Sequence, residues 1–199
     1  MSDPRQPKTA APIAARVDAL EGALTDAGLV PEGYLDEATA PAEDALSPRN
    51  GARVVARAWT DPAYRARLLG DGARACAELG YGLPYEESIV ILENTETVHH
   101  AIVCTQCSCT AWSLLGLPPD WYKSPEYRAR LVREPRALLR EMGLDLPESV
   151  RVKIWDTSGE TRYMVLPLRP AGTEGWSEEQ LAAIVTREAM IGVARVTVG

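Results

Sequence analysis

Three of the four cysteines fall within six residues, Cys104, Cys107 and Cys109, while Cys76 stands alone. No feature constrains the chain more. A C-x-x-C-x-C segment bends tightly enough to bring its sulfurs together, and the rest of the fold must carry that loop. A disulfide scaffold would instead spread its cysteines along a short secreted chain. The start, Met1-Ser2-Asp3-Pro4-Arg5, leads into no apolar segment of signal-peptide type. A reducing, cytoplasmic setting is therefore expected, and in it the cluster reads as metal or redox chemistry.

Zinc is one occupant. A structural zinc site usually takes four ligands as two separated pairs. Here there is no second pair, although His99 or His100 just upstream would complete a compact zinc knot. A disulfide or a set of buried thiols stays open as well.

The other possibility enlists the main chain. If Cys107 and Cys109 bind one ion through sulfur, the amide nitrogens of Ser108 and Cys109 point at the same centre. Sulfur, nitrogen, nitrogen and sulfur then make a nearly planar claw, which needs a small residue such as Ser108 in the middle. Cys104 supplies a fifth ligand from one side, and a sixth position stays open. Deprotonated amides suit a trivalent low-spin ion better than zinc. An open position on such an ion polarises a substrate or acidifies a bound water. Three thiolates and two amidates outweigh a 3+ ion, so the site needs cationic neighbours. Residues 99–122 contain no Lys or Arg, so the cations must come from elsewhere in the chain or from a second subunit.

Around the loop the sequence reads as α+β, layered helices and strands with an extended helical N-terminal arm. Ile13, Val17, Leu20 and Leu24 give a thin helical stripe over 12–27, suited to weak packing or to a partner's surface. Residues 30–48 read as linker, so 1–48 form an arm and 49–199 the metal-binding domain. One helix is expected over 50–69, and another after Asp71, ending at Gly80. Residues 88–92 and 100–103 read as strands. Ser124-Pro125 starts a helix that Pro135 breaks. Val150, Val152 and Ile154 alternate with charged or bulky residues, and with 161–166 they suggest a hairpin. Ser177 and Gln180 form a capping box, and 193–198 a final strand. Cys76 lies among alanines and reads as a core thiol; the two histidines read as surface or interface residues.

Twenty-eight acidic residues against 21 basic ones give a net charge of −7, which argues against a nucleic-acid face. No apolar run approaches the ~20 residues that would cross a bilayer.

The segment Val103-Cys104-Thr105-Gln106-Cys107-Ser108-Cys109-Thr110-Ala111-Trp112 resembles the metal-binding motif of nitrile hydratase alpha subunits. The similarity continues through Leu115-Gly116-Leu117-Pro118-Pro119-Asp120-Trp121-Tyr122-Lys123, Val132-Arg133-Glu134-Pro135-Arg136 and Arg162-Tyr163-Met164-Val165-Leu166-Pro167. It covers most of residues 88–195. The resemblance implies hydration of a nitrile to its amide at a non-haem Fe(III) or non-corrin Co(III) centre. It implies Cys104 as thiolate, Cys107 as sulfinic acid and Cys109 as sulfenic acid, states that lie on the cysteine oxidation ladder. The amides of Ser108 and Cys109 complete the ligand set. Cys109 and Cys107 are the catalytic candidates, the Cys109 sulfenate oxygen acting as nucleophile or base.

It also implies a beta subunit whose arginines meet the sulfur oxygens, in a heterodimer or heterotetramer, with a metallochaperone as a further partner. Trp112 becomes a pocket residue, with a core tryptophan as the plain alternative. Arg162 becomes a neighbour of the loop, with a solvated strand arginine as the alternative. Gln106 departs from the family, which usually carries Leu there; it puts an amide beside the site for substrate, water or partner, or simply faces solvent. Thr105 resembles the cobalt type and Thr110-Ala111-Trp112 the iron type, and the longer match through 110–133 leans to iron. Two other functions stay open: the metal subunit of a thiocyanate hydrolase, which shares the motif, and a non-enzymatic zinc or redox interaction module.

Overall fold

The computed structural model describes residues 12–82 and 88–198. The chain divides at Glu43 and Asp44 into two compact units. In the first, helix α1 spans Ile13–Asp26, as its periodicity predicts, and buries none of its residues. Ile13 is 77% exposed and Leu20 61%, so the apolar stripe faces outward. The linker expected over 30–48 is corrected by helix α2, Tyr34–Ala45. Asp36 and Glu37 in its first turn complement the helix dipole, and Ala38, Ala40, Ala42 and Ala45 favour the helical state.

The second unit begins with α3 (Pro48–Thr60), α4 (Pro62–Gly70) and α5 (Gly72–Glu78). The single helix expected over 50–69 is two. Pro62 cannot continue the first, and the Asp61 carboxylate accepts from the amides of Ala63 and Tyr64 at 2.9 and 3.0 Å, starting the second. Asp71 caps α5 as expected, accepting from Arg74 N at 3.0 Å. Strands β1 (Ser88–Glu93) and β2 (Val98–Val103) follow, then short helices α6 (Trp112–Leu115) and α7 (Asp120–Lys123). Helices α8 (Pro125–Arg133) and α9 (Pro135–Glu141) meet at the expected proline break. Strands β3 (Arg151–Asp156) and β4 (Thr161–Leu166) lead to α10 (Glu178–Ile184), which carries the capping box, and α11 (Arg187–Ile191).

The expected hairpin of β3 and β4 does not form. The chain bends at Gly159 and Glu160, but each strand pairs elsewhere and in parallel, β3 with β2 and β4 with β1. Alternation in 150–155 marks a half-buried strand but not its partner. That partner is β2, buried from His99 to Val103 on both faces. Residues 193–198 do not form the expected strand. Val193 and Val196 are buried there without a ladder.

The core gathers Val54, Leu68, Cys76, Val103, Leu114 and Met164. Helix α3 packs against α6, α10 and α11. Gly51 makes the approach possible, since a Cβ there would lie 2.4 Å from Leu114 O. No helix among the described residues is long and apolar enough to cross a membrane.

The two histidines are corrected from surface to core. His99 Nε2–H donates to Gly192 O at 2.8 Å, which leaves Nδ1 to accept from Asn94 Nδ2 at 3.2 Å. Asn94 Oδ1 then accepts from His100 N at 2.7 Å, and His100 Nδ1 accepts from Trp155 Nε1 at 2.7 Å. Burial, with some help from Lys153, pushes His100 down to about 4, and burial also lowers His99. Both rings are neutral at pH 7, and both ring nitrogens of His99 and Nδ1 of His100 are taken by these bonds.

Candidate metal centre

Strand β2 delivers Cys104 at its end, and α6 resumes regular structure at Trp112, so the loop 104–111 hangs between two fixed elements. Cys104 is buried, Cys109 half-buried and Cys107 exposed. Their sulfurs lie within 4.8 Å of one another, 3.3 Å from Cys104 to Cys107 and 3.0 Å from Cys107 to Cys109. These are contact distances between separate thiols, well beyond a bonded S–S of about 2.05 Å. Among the described residues the cluster contains cysteines alone. Neither histidine joins it, which removes the fourth ligand of a zinc knot.

The main chain turns inward. Cys107 N donates to Cys104 Sγ at 3.3 Å, and the amides of Ser108 and Cys109 help to lower the Cys107 thiol. Three sulfurs within 4.8 Å of one another fit a thiophilic ion such as iron or cobalt.

Two groups outside the loop fasten it. The Asp156 carboxylate accepts from Thr105 N at 2.9 Å and Thr105 Oγ1 at 2.5 Å. Parallel register pairs Val103 with Asp156 and so sets that carboxylate beside the start of the loop. Arg162, half-buried on β4, hydrogen-bonds the Cys109 sulfur and also donates to Ser158 O. Arg162 thus brings a positive charge to the loop from this chain. Sequence reasoning singled out Arg162 but missed Asp156, because only strand pairing brings residues 105 and 156 together. Gln106 is exposed at the outer edge of the loop, and Trp112 is half-buried at the start of α6.

Hydrogen bonds from Cys109 and Cys104 lower the Cys107 thiol to about 7, whereas burial raises Cys109 despite Arg162. Lowering an acid's pKa favours its anion, so the Cys107 thiolate is present above about 7 and is lost as pH falls through that value. In chain purified without metal, iodoacetamide should therefore label Cys107 first, with a half-maximal rate near pH 7. Cys109 should follow only at higher pH. Peptide mass mapping across a pH series checks the order; equal labelling of the two would contradict it.

A cluster of three thiols on an α+β frame marks a chain able to bind a metal ion. The nitrile hydratase alpha chain family matches residues 11–194, and the chain belongs to it. It is 56% identical over 185 residues to a nitrile hydratase subunit alpha of a Rhodococcus species, covering 92% of this chain and 93% of that one. A cobalt-containing nitrile hydratase subunit alpha from Pseudonocardia thermophila is 53% identical, covering 91% and 89%. The gamma subunit of thiocyanate hydrolase from Thiobacillus thioparus is 45% identical over 160 residues, 75% of this chain and 66% of that one. Among solved structures, a double mutant of the Fe-type nitrile hydratase from Comamonas testosteroni Ni1 superposes with a TM-score of 0.83 at 49% identity, covering 92% and 90%.

Proposed function

We propose that this chain is the metal-bearing alpha subunit of a nitrile hydratase, adding water to R–C≡N to give the amide. The observation that carries the reading is the convergence of the Cys104, Cys107 and Cys109 sulfurs within 4.8 Å of one another. Cys104, Cys107 and Cys109 hold the ion through sulfur, and Ser108 and Cys109 through main-chain nitrogen. When bound, a low-spin Fe(III) or Co(III) ion supplies Lewis acidity at an open coordination position.

The residues divide the remaining work. Cys109 as sulfenic acid presents an oxygen to the nitrile carbon or to a water molecule. Arg162, already on the Cys109 sulfur, aims that oxygen and offsets its charge. Cys107 as sulfinic acid sits on the exposed side. Thr105 and Asp156 hold the start of the loop. Gln106 and Trp112 border the substrate path.

Thr105, Gln106 and Cys107 are exposed, so the site lacks the dry surroundings that electrostatic catalysis needs. A beta subunit supplies the cover and further cations. Residues 1–48 act as an arm on that partner, which fits the outward stripe of α1; residues 49–199 carry the metal. The setting is cytoplasmic, and a metallochaperone loads the ion.

The test is turnover by the co-expressed alpha and beta chains. A simple nitrile should yield its amide, with iron or cobalt at one equivalent and three added oxygen atoms in the alpha-chain mass. Carbonyl sulfide from thiocyanate in place of amide would transfer the chain to the hydrolase reading. Zinc with unmodified cysteines would refute both.

A further inference from the structure

Two phenols grip opposite ends of the cysteine loop. Tyr122 Oη donates to Cys109 O at 3.0 Å, and Tyr127 Oη donates to Ile102 O at 2.7 Å. Tyr122 is 0% exposed and Tyr127 4%. Their rings cannot drift. Trp121 packs edge-on against Tyr127 at 4.9 Å between centroids, and Tyr122 lies 5.5 Å from Tyr127. Ser124 caps α8 by accepting from Tyr127 N at 3.0 Å, which fixes the backbone that carries the second phenol. Buried phenols need acceptors. These two take theirs from the residue that ends the loop's ligand set and from a residue two before its first cysteine.

We propose that Tyr122 is a positioning residue for the metal loop, with Tyr127 as its counterpart at the loop's other end. The proposal rests on the reading of Cys109 as a ligand through both sulfur and nitrogen. The Cys109 Cα then carries three constrained arms. On that reading the ion fixes the nitrogen; the sulfur meets Cys107 Sγ at 3.0 Å, and the carbonyl is held by Tyr122. With the third arm pinned, the residue cannot rotate about its own backbone, and the sulfur keeps its aim relative to Arg162. Removing the phenol hydroxyl frees that rotation while leaving the ring in place.

The test uses the metal-loaded complex with its beta chain and three phenylalanine variants. Tyr64 supplies the control, because its hydroxyl also donates to a buried carbonyl, Ala75 O at 3.1 Å, away from the loop. Tyr122→Phe should lower kcat by roughly ten- to a hundredfold with KM within about twofold, as a small misalignment does. It should also shift the sulfur-to-metal charge-transfer band. Tyr127→Phe should move the same band in the same direction, and by less. Tyr64→Phe should lose comparable thermal stability yet keep kcat and the band. An unshifted band and unchanged kcat in Tyr122→Phe would overturn the proposal, as would parallel losses in Tyr122→Phe and Tyr64→Phe. If Tyr122→Phe fails to assemble, Tyr127→Phe decides: a shifted band supports the clamp and an unshifted one overturns it. A wild-type complex without iron or cobalt, or without amide release, would instead defeat the underlying functional reading.

Discussion

Cys109→Ala in the assembled complex should cut nitrile turnover by roughly three orders of magnitude or more, equivalent to about 4 kcal/mol of lost transition-state stabilisation. The substitution removes a sulfur donor and, with it, the oxygen that the proposed reaction directs at the nitrile carbon. It also removes the sulfur that Arg162 meets. The loss should fall on kcat, and metal content should drop as well. The loaded ion binds the folded chain preferentially, so the thermal midpoint should fall with it. Cys76→Ala gives the contrast. That thiol is buried in the core, outside the loop cluster, so its removal should cost some stability and leave the rate per folded complex unchanged. Steady-state kinetics with metal quantitation on both variants checks the pair. A Cys109→Ala complex with a tenth of normal activity would contradict the assigned role.

Gly192→Ala should be the most damaging single methyl group in the scaffold. Gly192 ends α11 at φ +90°, a conformation that costs any other L residue strain. A Cβ there would sit 2.1 Å from His100 O and 2.8 Å from Ala101 Cα, both main-chain atoms of strand β2. Neither can yield without moving the strand that delivers Cys104. The same residue's carbonyl accepts from His99, so the His99–Asn94–His100 chain of bonds would break together with the packing. A loss of roughly 3–5 kcal/mol is expected, a large share of a typical domain's stability. Gly159→Ala, with nothing within 4 Å of the added atom, should be close to neutral. Urea unfolding of the two complexes measures the difference, and similar midpoints would contradict the close-approach argument.

How far these features can be read from sequence depends on whether they are local. Ser124-Pro125, Asp71 and the Ser177–Gln180 box act within one turn of chain, and each caps the helix that it announces. The cysteine spacing likewise brings its own sulfurs together, since a six-residue segment leaves them little room to separate. Asp61-Pro62 was equally local; its capping carboxylate and missing N–H mark the break that the apolar pattern alone runs across. Strand partners are another matter. Period-two alternation says that one face of β3 is buried but not that β2 covers it, and a hairpin is the default for neighbours in sequence. Helix α11 has five residues, too few for a period to show, and Val193 and Val196 imitate a strand while filling core space. Asp156, Tyr122 and Tyr127 reach the loop only through register and helix packing. Arg162, by contrast, was found through family resemblance.

The central claim is that main-chain nitrogen and cysteine sulfur share one trivalent ion. X-ray absorption at the metal edge of the alpha–beta complex addresses it directly. Low-spin iron or cobalt is expected with about three sulfur neighbours, the clustered cysteines, and two short nitrogen neighbours, the proposed Ser108 and Cys109 amides. A sulfur-only shell, an imidazole shell, or zinc in tetrahedral geometry would contradict it.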